Sequence, residues 1–247
     1  METCFYPVPW TDVLEIILSD AFTFTSTGDV IAGPGEENLC VKAYLSLKQD
    51  FHLAPVKIHL HKIIPSRAGL GGGSSDAAYT LRLLNEIFGL KLSLSRLMEY
   101  AARLGSDCAF FIQDKSRVGT SRGEVLNDVQ FSLKGKFLIV VTPNVYVSTA
   151  EAFAGIAPRP RQFSVAEIIT QFPIGDWKDL LKNDFEDSIF TKYPAIKSIK
   201  EKLYSLGALY SSMSGSGSAV FGIFDSKLDA SHEFRDSRYW SDFLIEY

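Results

Sequence analysis

The chain has 247 residues, of which 46% are hydrophobic and 22% charged, and its net charge at pH 7 is −4. A chain of this length buries a substantial core in one large or two modest domains. The small negative charge is not typical of proteins that bind nucleic acid or an anionic membrane. The longest apolar runs, such as residues 137–141, are far too short to span a bilayer.

The cysteine content favours a reducing compartment. The three cysteines, Cys4, Cys40 and Cys108, cannot all pair with one another, and no two of them form a Cys-x-x-Cys motif. The first residues also lack the basic start and apolar core of a signal peptide. We therefore expect reduced, buried thiols in a cytoplasmic protein.

Hydrophobic periodicity predicts a mixture of helices and strands along the chain. In the first half it predicts a strand pair joined near Pro9 within residues 1–18, a helix over 38–47, a strand over 56–61, and helices over 77–88 and 94–104. In the second half it predicts a strand over 136–142, helices over 165–171, 176–181 and 195–206, a strand over 219–224, and a closing helix and strand. This order indicates an α+β fold with two lobes, which we expect to divide into domains 1–132 and 133–247.

Between the predicted strand 56–61 and the helix 77–88 lies a stretch with a high glycine content, which we call the first glycine loop. It comprises Pro65, Ser66, Arg67, Ala68, Gly69, Leu70, Gly71, Gly72, Gly73, Ser74 and Ser75. Residues without a Cβ let the backbone approach a ligand closely. A helix that follows such a loop directs its N–H groups and the positive end of its dipole at one point. The order of strand, glycine loop and helix therefore predicts a phosphate-binding element.

Two better-known phosphate loops do not fit this stretch. A Walker A loop needs a lysine after its last glycine, and Ser74 follows Gly73 instead. A dinucleotide fingerprint counted from Gly69 needs a third glycine at the position of Ser74. A plain glycine-rich turn remains the alternative. Ser74 and Ser75 at the expected helix N-cap, with Asp76 in the first turn, favour phosphate binding.

A second candidate residue is Asp107, which lies between the predicted helix 94–104 and the apolar stretch 108–112. We expect the helix to end at Gly105 in the left-handed conformation, so that Asp107 projects from a rigid turn. From the local sequence, Asp107 is either a catalytic carboxylate or a helix-capping aspartate, and capping is the commoner role at such a boundary.

The second half of the chain contains two further candidates. Residues 214–218, with Gly215, Ser216 and Gly217 at their centre, form a second glycine loop before the predicted strand 219–224, which by itself indicates an ordinary turn. Thr149 and Phe153 lie four residues apart and could hydrogen-bond and stack on a base. A helix cap and a core contact are the alternative for this pair.

The first glycine loop resembles the second motif of the GHMP kinases, a family named after galactokinase, homoserine kinase, mevalonate kinase and phosphomevalonate kinase. Further matches occur in the family's order at residues 104–107, 122–126, 148–153, 183–186 and 212–221. This collinearity is more specific than any single motif. The triple glycine followed by Ser-Ser-Asp-Ala-Ala is most similar to the branch that acts on a cytidine diphosphate-linked alcohol in non-mevalonate isoprenoid precursor synthesis.

The resemblance implies a two-lobed GHMP kinase fold, with an unusual left-handed crossover in the N-terminal lobe, a ferredoxin-like C-terminal lobe, and the site in the cleft between them. It also implies that ATP and Mg²⁺ bind at the first glycine loop, with the second glycine loop closing the site. Asp107 follows the same Leu-Gly-x-Asp as the family's catalytic aspartate and would act on the substrate hydroxyl. Thr149 and Phe153 would contact the cytosine, and Ser75 could contribute its hydroxyl to the metal.

The chain also departs from the family pattern. The family continues Asp-Val-Pro-Phe where this sequence has Cys108-Ala109-Phe110 after the aspartate. The family begins with Lys-x-Asn and then Gly-Tyr-His, whereas residues 1–5 resemble the segment directly after Gly-Tyr-His. A kinase sequence that starts late and a non-catalytic nucleotide-binding module are both compatible with this, and a homoserine or mevalonate type of kinase is a further alternative. We expect a small-molecule substrate, no nucleic acid or membrane partner, and a monomer or homodimer.

Overall fold

The computed structural model of the protein describes residues 1–30, 35–121, 123–156 and 161–246. The chain forms two compact units. The first comprises Met1–Ser66 and Gly71–Asp128, and the second comprises Arg67–Leu70 and Val129–Tyr247. Four residues of the first glycine loop therefore belong to the second unit. Arg122, which begins the motif at 122–126, lies outside the described residues.

The first unit contains two three-stranded sheets and three α-helices among its described residues. In chain order these elements are β1 (Glu2–Phe5), β2 (Val13–Leu18), β3 (Thr23–Gly28), α1 (Leu39–Phe51), β4 (Val56–Lys62), α2 (Gly72–Ile87), α3 (Leu94–Leu104), β5 (Arg117–Thr120) and β6 (Val125–Asp128). One sheet has the antiparallel order β1-β5-β6. The other has the order β2-β4-β3, in which β2 is antiparallel and β3 parallel to the central strand.

The core of the first unit lies between β4 and the three helices. Alternate residues of β4 are buried, beginning with Val56, Ile58 and Leu60, because successive side chains of a strand point to opposite faces. They belong to the same apolar cluster as Leu47 of α1 and Leu81 of α2. Each fully buried aliphatic side chain of this size contributes about 1.5–3 kcal/mol.

Side-chain caps define where α1 and α3 begin. The Asn38 side chain accepts a hydrogen bond from the Cys40 N–H at 2.8 Å, and the Ser93 hydroxyl accepts one from the Arg96 N–H at 3.3 Å. Both residue types are favoured N-caps because their side chains satisfy N–H groups that have no helical partner. The predicted bounds of the helix 94–104 are confirmed.

The second unit contains one four-stranded sheet and five α-helices in the part of the chain that is described. Its elements are β7 (Phe137–Pro143), α4 (Thr149–Ala154), α5 (Val165–Gln171), α6 (Trp177–Leu180), α7 (Glu186–Lys192), α8 (Pro194–Ser205), β8 (Tyr210–Met213), β9 (Val220–Phe224) and β10 (Ser237–Phe243). The sheet is antiparallel, with the order β10-β7-β9-β8. All seven residues of β7 are buried. Ile196 and Leu203 of α8 belong to the same core.

Three predicted elements differ from the structure. The strands within residues 1–18 form, but they do not pair with each other: β1 pairs with β5 and β2 with β4. The helix with an expected N-cap at Ser74 or Ser75 begins before both serines, at Gly72. The closing helix is a single 3₁₀ turn, Ser231–Phe234, before β10. Within the described residues, no helix is long and apolar enough to cross a membrane.

Candidate functional site

The first glycine loop leads directly into α2, which begins at Gly72 and has Gly71 as its N-cap. Gly71 has a φ of +70°, in the left-handed region that favours glycine. The first helical hydrogen bond joins the Ser75 N–H to the Gly71 carbonyl oxygen at 2.9 Å. The N–H groups of residues 72–74 therefore precede the helical hydrogen bonds, which is the arrangement that binds anions at a helix start.

The positions of the two serines and of Asp76 correct the expected N-cap. Ser74 and Ser75 lie inside the first turn of α2, and the helix has no side-chain cap. Asp76 lies beyond the first turn rather than in it. The prediction was wrong because Gly71 adopts the left-handed conformation, which lets the helix begin at the second glycine of the triplet.

The three consecutive glycines differ in the space around them. A Cβ on Gly71 would lie 2.8 Å from the Phe111 ring, and one on Gly72 would lie 2.9 Å from Nζ of Lys62. At Gly73 no atom lies within 4 Å of the Cβ position. A side chain at Gly71 or Gly72 would therefore displace Phe111 or Lys62, whereas Gly73 faces open space at the helix start.

Beneath this helix start lies a buried cluster of three charged side chains. Lys62, the last residue of β4, donates from Nζ to Asp76 Oδ2 of α2 at 2.8 Å and also to Asp12 Oδ2. Asp12 Oδ1 accepts the backbone N–H groups of Ile63 at 2.5 Å and Ile64 at 2.8 Å. The cluster joins the residue before β2, the end of β4 and the beginning of α2.

Burial and charge act in opposite directions within this cluster. Burial by itself lowers the pKa of Lys62, but the facing carboxylates of Asp76 and Asp12 outweigh it and raise that pKa above its usual value. Burial raises the pKa of Asp76 to about 7, because desolvation exceeds the stabilising effect of Lys62 and Asp12 adds a second negative charge. Lys62 therefore stays protonated, and Asp76 is the group that takes up a proton near neutral pH.

Sequence patterns did not reveal this cluster, although the signal was present. Lys62 continues the alternation of Val56, Ile58 and Leu60, which places it on the buried face of β4. Asp76 lies four residues before Thr80 on the buried face of α2. Two charged residues at positions that periodicity predicts to be buried, on adjacent elements, indicate a buried ion pair.

Asp107 lies in the turn after α3, on the first unit. The expected left-handed conformation of Gly105 is wrong, because its φ of 177° is extended. The next helical segment, Phe110–Ile112, has Ala109 as its N-cap and no side-chain cap. Asp107 therefore does not have the helix-capping role at this segment that the sequence left open.

The surroundings of the Asp107 carboxylate alter its acidity. The residue is exposed, but nearby protein atoms displace part of its hydration, and this desolvation raises the pKa of the carboxyl above its usual value. The next side chain, Cys108, is buried, and its thiol interacts with the Ser74 hydroxyl. The Asp107 turn and the beginning of α2 are therefore adjacent in the first unit.

In the second unit, the second glycine loop contacts residues 67–70. The Ala219 N–H donates to the Ala68 carbonyl oxygen at 3.0 Å, and the Ser214 hydroxyl donates to the Gly69 carbonyl oxygen at 2.8 Å. Gly69 has a φ of +75°, and a Cβ there would lie 2.1 Å from the Ser214 carbonyl oxygen. The two backbones meet so closely that only glycine fits at residue 69.

The remaining residues of the two glycine loops differ in exposure. Pro65 and Gly217 are buried, Ser66, Leu70 and Ser216 are half-buried, and Arg67 and Gly215 are exposed. The Arg67 guanidinium lies 5.4 Å from the centre of the Tyr146 ring, a cation–π contact.

Thr149 and Phe153 lie on the short helix α4, one turn apart. The N-cap is Ser148, whose hydroxyl accepts from the Glu151 N–H at 3.1 Å, so Thr149 is the first helical residue and not the cap. Phe153 is 50% exposed and is not a core residue. Its ring packs edge-to-face on Phe185, with 5.0 Å between ring centres. Both side chains are therefore available on one face of α4.

No described part of the chain brings together three histidine, cysteine, aspartate or glutamate side chains that could hold a metal ion.

Comparisons with known families match both units. The model described as GHMP kinases N terminal domain matches residues 38–115, and the model described as GHMP kinases C terminal matches residues 168–236. A relative from Cytophaga hutchinsonii, 4-diphosphocytidyl-2-C-methyl-D-erythritol kinase, is 49% identical over 234 residues, which cover 94% of this chain and 86% of the relative. The chain belongs to the GHMP kinase family.

Other GHMP kinases support the same assignment. A protein of Bacteroides fragilis with the same kinase name is 53% identical over 228 residues, covering 91% of this chain and 83% of the relative. A crystal structure of 4-(cytidine 5'-diphospho)-2C-methyl-D-erythritol kinase matches with a TM-score of 0.79 at 28% identity, over 97% of this chain and 88% of that one. A mevalonate kinase structure, with a TM-score of 0.76 at 14% identity, shares the fold over 99% of this chain and 93% of its own.

Proposed function

We propose that this GHMP kinase transfers a phosphoryl group from ATP to a hydroxyl of 4-diphosphocytidyl-2-C-methyl-D-erythritol, a step of non-mevalonate isoprenoid precursor synthesis. One observation carries the proposal: relatives with this kinase name are 49% and 53% identical over more than nine-tenths of the chain. The described geometry supports particular roles for the candidate residues.

The beginning of α2 would hold the ATP phosphates. The N–H groups of residues 72–74 and the positive end of the helix dipole suit a phosphate. The open space at Gly73 lets oxygen atoms approach the backbone closely. Gly215, Ser216 and Gly217 would border the nucleotide, since their loop contacts Gly69. Bound Mg²⁺ would offset phosphate charge, and the Ser75 hydroxyl is the candidate protein ligand in the loop.

Asp107 would act as the base. As the substrate oxygen forms its bond to the γ-phosphorus, the carboxylate accepts the hydroxyl proton, and ADP leaves with the electrons of the broken P–O bond. The raised pKa of Asp107 makes its carboxylate a stronger base than an ordinary aspartate. Its turn packs beside Ser74, which supports a position close to the phosphates.

Thr149 and Phe153 would select the cytidine part of the substrate. Residues four apart on a helix share one face. A hydroxyl and an aromatic ring on that face suit the hydrogen-bonding edge and the flat surface of a cytosine. The edge-to-face contact with Phe185 favours this orientation of the Phe153 ring.

We also infer a cytoplasmic location for this reaction. Cys4, Cys40 and Cys108 are free thiols, as expected in a reducing compartment.

Parallel assays of ADP release with three alcohols test the proposed substrate. The chain should prefer 4-diphosphocytidyl-2-C-methyl-D-erythritol to homoserine and mevalonate. A preference for either of the others would assign it to another type of GHMP kinase. ATP binding without turnover of any of the three would support a non-catalytic nucleotide-binding module.

A matched pair of variants tests the cytidine contact. Phe153→Leu should raise KM for the cytidine-linked alcohol about tenfold, the scale of a lost aromatic stacking contact, and should leave KM for ATP unchanged. Phe243→Leu is the control, because Phe243 is 40% exposed and makes a similar edge-to-face contact with Phe137 at 5.1 Å. Equal effects of the two variants on KM would remove Phe153 from the proposed site.

A further inference from the structure

The Asn183 side chain holds the segment that leads into the second glycine loop. Its Nδ2 donates to the carbonyl oxygens of Met213 and Gly215, both at 2.8 Å. Its Oδ1 accepts the Phe185 N–H at 3.0 Å. All three contacts together permit only one orientation of the amide. An aspartate would have the same shape but no N–H to donate, so both loop carbonyls would lose their partner.

Glu186, the first residue of α7, holds the same segment from its other side. The residue is 2% exposed. Its Oε1 accepts the Met213 N–H at 2.9 Å and the Ser212 hydroxyl at 3.1 Å, and its Oε2 pairs with Lys200 Nζ at 2.6 Å. A buried carboxylate is retained only where such partners compensate for its lost hydration. Met213 is therefore fixed at both its N–H and its carbonyl group.

The next residue transmits this fixed geometry to the first glycine loop. The Ser214 N–H donates to the Ala219 carbonyl oxygen at 2.8 Å and closes the hairpin. The Ser214 hydroxyl donates to the Gly69 carbonyl oxygen, and the Ala219 N–H donates to the Ala68 carbonyl oxygen. Both ends of the second glycine loop thus support residues 68–69.

We propose that Asn183 and Glu186 are positioning residues for nucleotide binding, which act through Ser214 on Gly69 and set the backbone of the first glycine loop. The inference rests on the proposed function, because it takes the ligand of that loop to be the ATP phosphates. Preorganised backbone donors bind without the cost of ordering the loop. The two side chains contribute to binding without touching the nucleotide.

The first test measures the affinity for Mg–ATP by calorimetry in Asn183→Asp. The affinity should fall about tenfold, the scale of one or two lost hydrogen bonds, while KM for the substrate alcohol changes less than about twofold. Asp184→Asn is the matched control, because Asp184 is the next residue, is exposed and pairs with Arg161 at 2.7 Å. The control should bind Mg–ATP like the parent chain.

Hydrogen exchange of the loop separates this inference from the proposed function. Exchange of the amides in residues 213–219 should rise in Asn183→Asp and stay unchanged in Asp184→Asn. If the parent chain binds no Mg–ATP, the proposed function fails, and the exchange result still shows whether Asn183 positions the loop. A folded Asn183→Asp with parental affinity overturns the inference. Equal losses for ATP and the alcohol also overturn it, since they indicate a general structural defect.

Ser214→Ala tests the route and does not depend on the folding of Asn183→Asp. It removes only the hydroxyl that donates to Gly69, and Mg–ATP affinity should fall about threefold. The double variant Asn183→Asp/Ser214→Ala should bind no more weakly than Asn183→Asp alone, because both changes act along one path. Parental affinity in Ser214→Ala, or losses that multiply in the double variant, would overturn the inference.

Discussion

The two glycine loops of this kinase are supported by different chemistry. Beneath the beginning of α2, the support consists of three buried charged side chains, Asp12, Lys62 and Asp76. Beside the second glycine loop, the Asn183 amide donates hydrogen bonds to two main-chain carbonyl groups, and the Glu186 carboxylate accepts one from the Met213 N–H. The first support links three charged side chains to one another and to the backbone directly after β4. The second support holds the backbone of Met213 and Gly215, at the beginning of the second glycine loop.

This difference determines how each loop responds to change. Charged groups in a buried cluster depend on every member, because removing one leaves the others without compensation. They also respond to pH. An amide that donates two hydrogen bonds has no proton to lose near neutral pH, and Asn183→Asp removes the two donated hydrogen bonds without leaving a buried charge unpaired. We therefore expect substitutions in the charged cluster to lower the free energy of unfolding. Substitution of Asn183 should instead lower the affinity for the nucleotide.

The largest effect should come from Asp107, which belongs to neither support. Asp107→Asn keeps the shape of the side chain and removes its negative charge and basicity. Turnover should fall by about two to four orders of magnitude, the scale of general acid–base contributions, while Mg–ATP affinity and the melting temperature stay near those of the parent chain. Parallel measurements of kcat, Kd and Tm check this. Parental turnover in the folded variant would mean that another residue is the base.

Lys62→Met should cause the largest loss of stability. It leaves Asp12 and Asp76 buried without a counter-charge, and breaking such a pair costs about 3–5 kcal/mol. Chemical denaturation gives the change in the free energy of unfolding. Lys57→Met is the control, since Lys57 lies on the exposed face of the same strand and should change stability by less than about 0.5 kcal/mol. Similar losses in the two variants would refute a special role for the cluster.

Asp76 should make the stability of the chain depend on pH. Below about pH 4 the carboxyl is protonated in both the folded and the unfolded state. Between about pH 4 and 7 the folded state keeps a proton that the unfolded state has released, because burial raises the pKa of Asp76 from 3.8 to about 7. As the pH rises through this window, the stability of the parent chain relative to Asp76→Asn should therefore fall, by at most about 1.4 kcal/mol per pH unit. Above about pH 7 the difference in stability should level off.

Unfolding measured at several pH values in both proteins checks this sign. The proton of Lys62 is lost only at alkaline pH, since its pKa lies above 10.5, so it does not contribute in the same window. Parallel stability curves for the parent chain and Asp76→Asn would contradict the proton uptake by Asp76.

Local sequence predicts the bounds of α3 but not the beginning of α2. The helix Leu94–Leu104 was predicted with its bounds because its apolar residues keep a helical period and Gly105 follows its last turn, and in the structure Ser93 caps its beginning. The beginning of α2 was misplaced because it depends on the left-handed conformation of Gly71, and the Phe111 ring against it is forty residues away along the chain. Local patterns do not contain such a contact.

Strand pairing and the side chains that support the two glycine loops depend on contacts between residues far apart in the sequence. β1 and β2 find their partners in β5 and β4, and the four-residue strand β5 has too few residues to show periodicity. Asp12 and Lys62 are fifty residues apart, and the Asn183 amide contacts carbonyls thirty and thirty-two residues further on. Resemblance to a family was enough to find the candidate site residues. The supporting side chains of Asp12, Lys62 and Asn183 could be recognised only from the folded structure.

The smallest effect on stability, and the sharpest test of the first loop, should come from Gly73→Ala. Gly73 lies in the first turn of α2 with no positive φ and no atom within 4 Å of its Cβ position. The added methyl group should stabilise the chain by about 0.5 kcal/mol, because alanine loses less backbone entropy in a helix than glycine does. If the phosphates occupy this space, Mg–ATP affinity should nevertheless fall. Gly175→Ala is the control: Gly175 lies in the 3₁₀ turn Ile174–Asp176 and also has open space, so the change should leave affinity unaltered. A Gly73→Ala chain that is more stable and binds Mg–ATP normally would place the phosphates away from the beginning of α2.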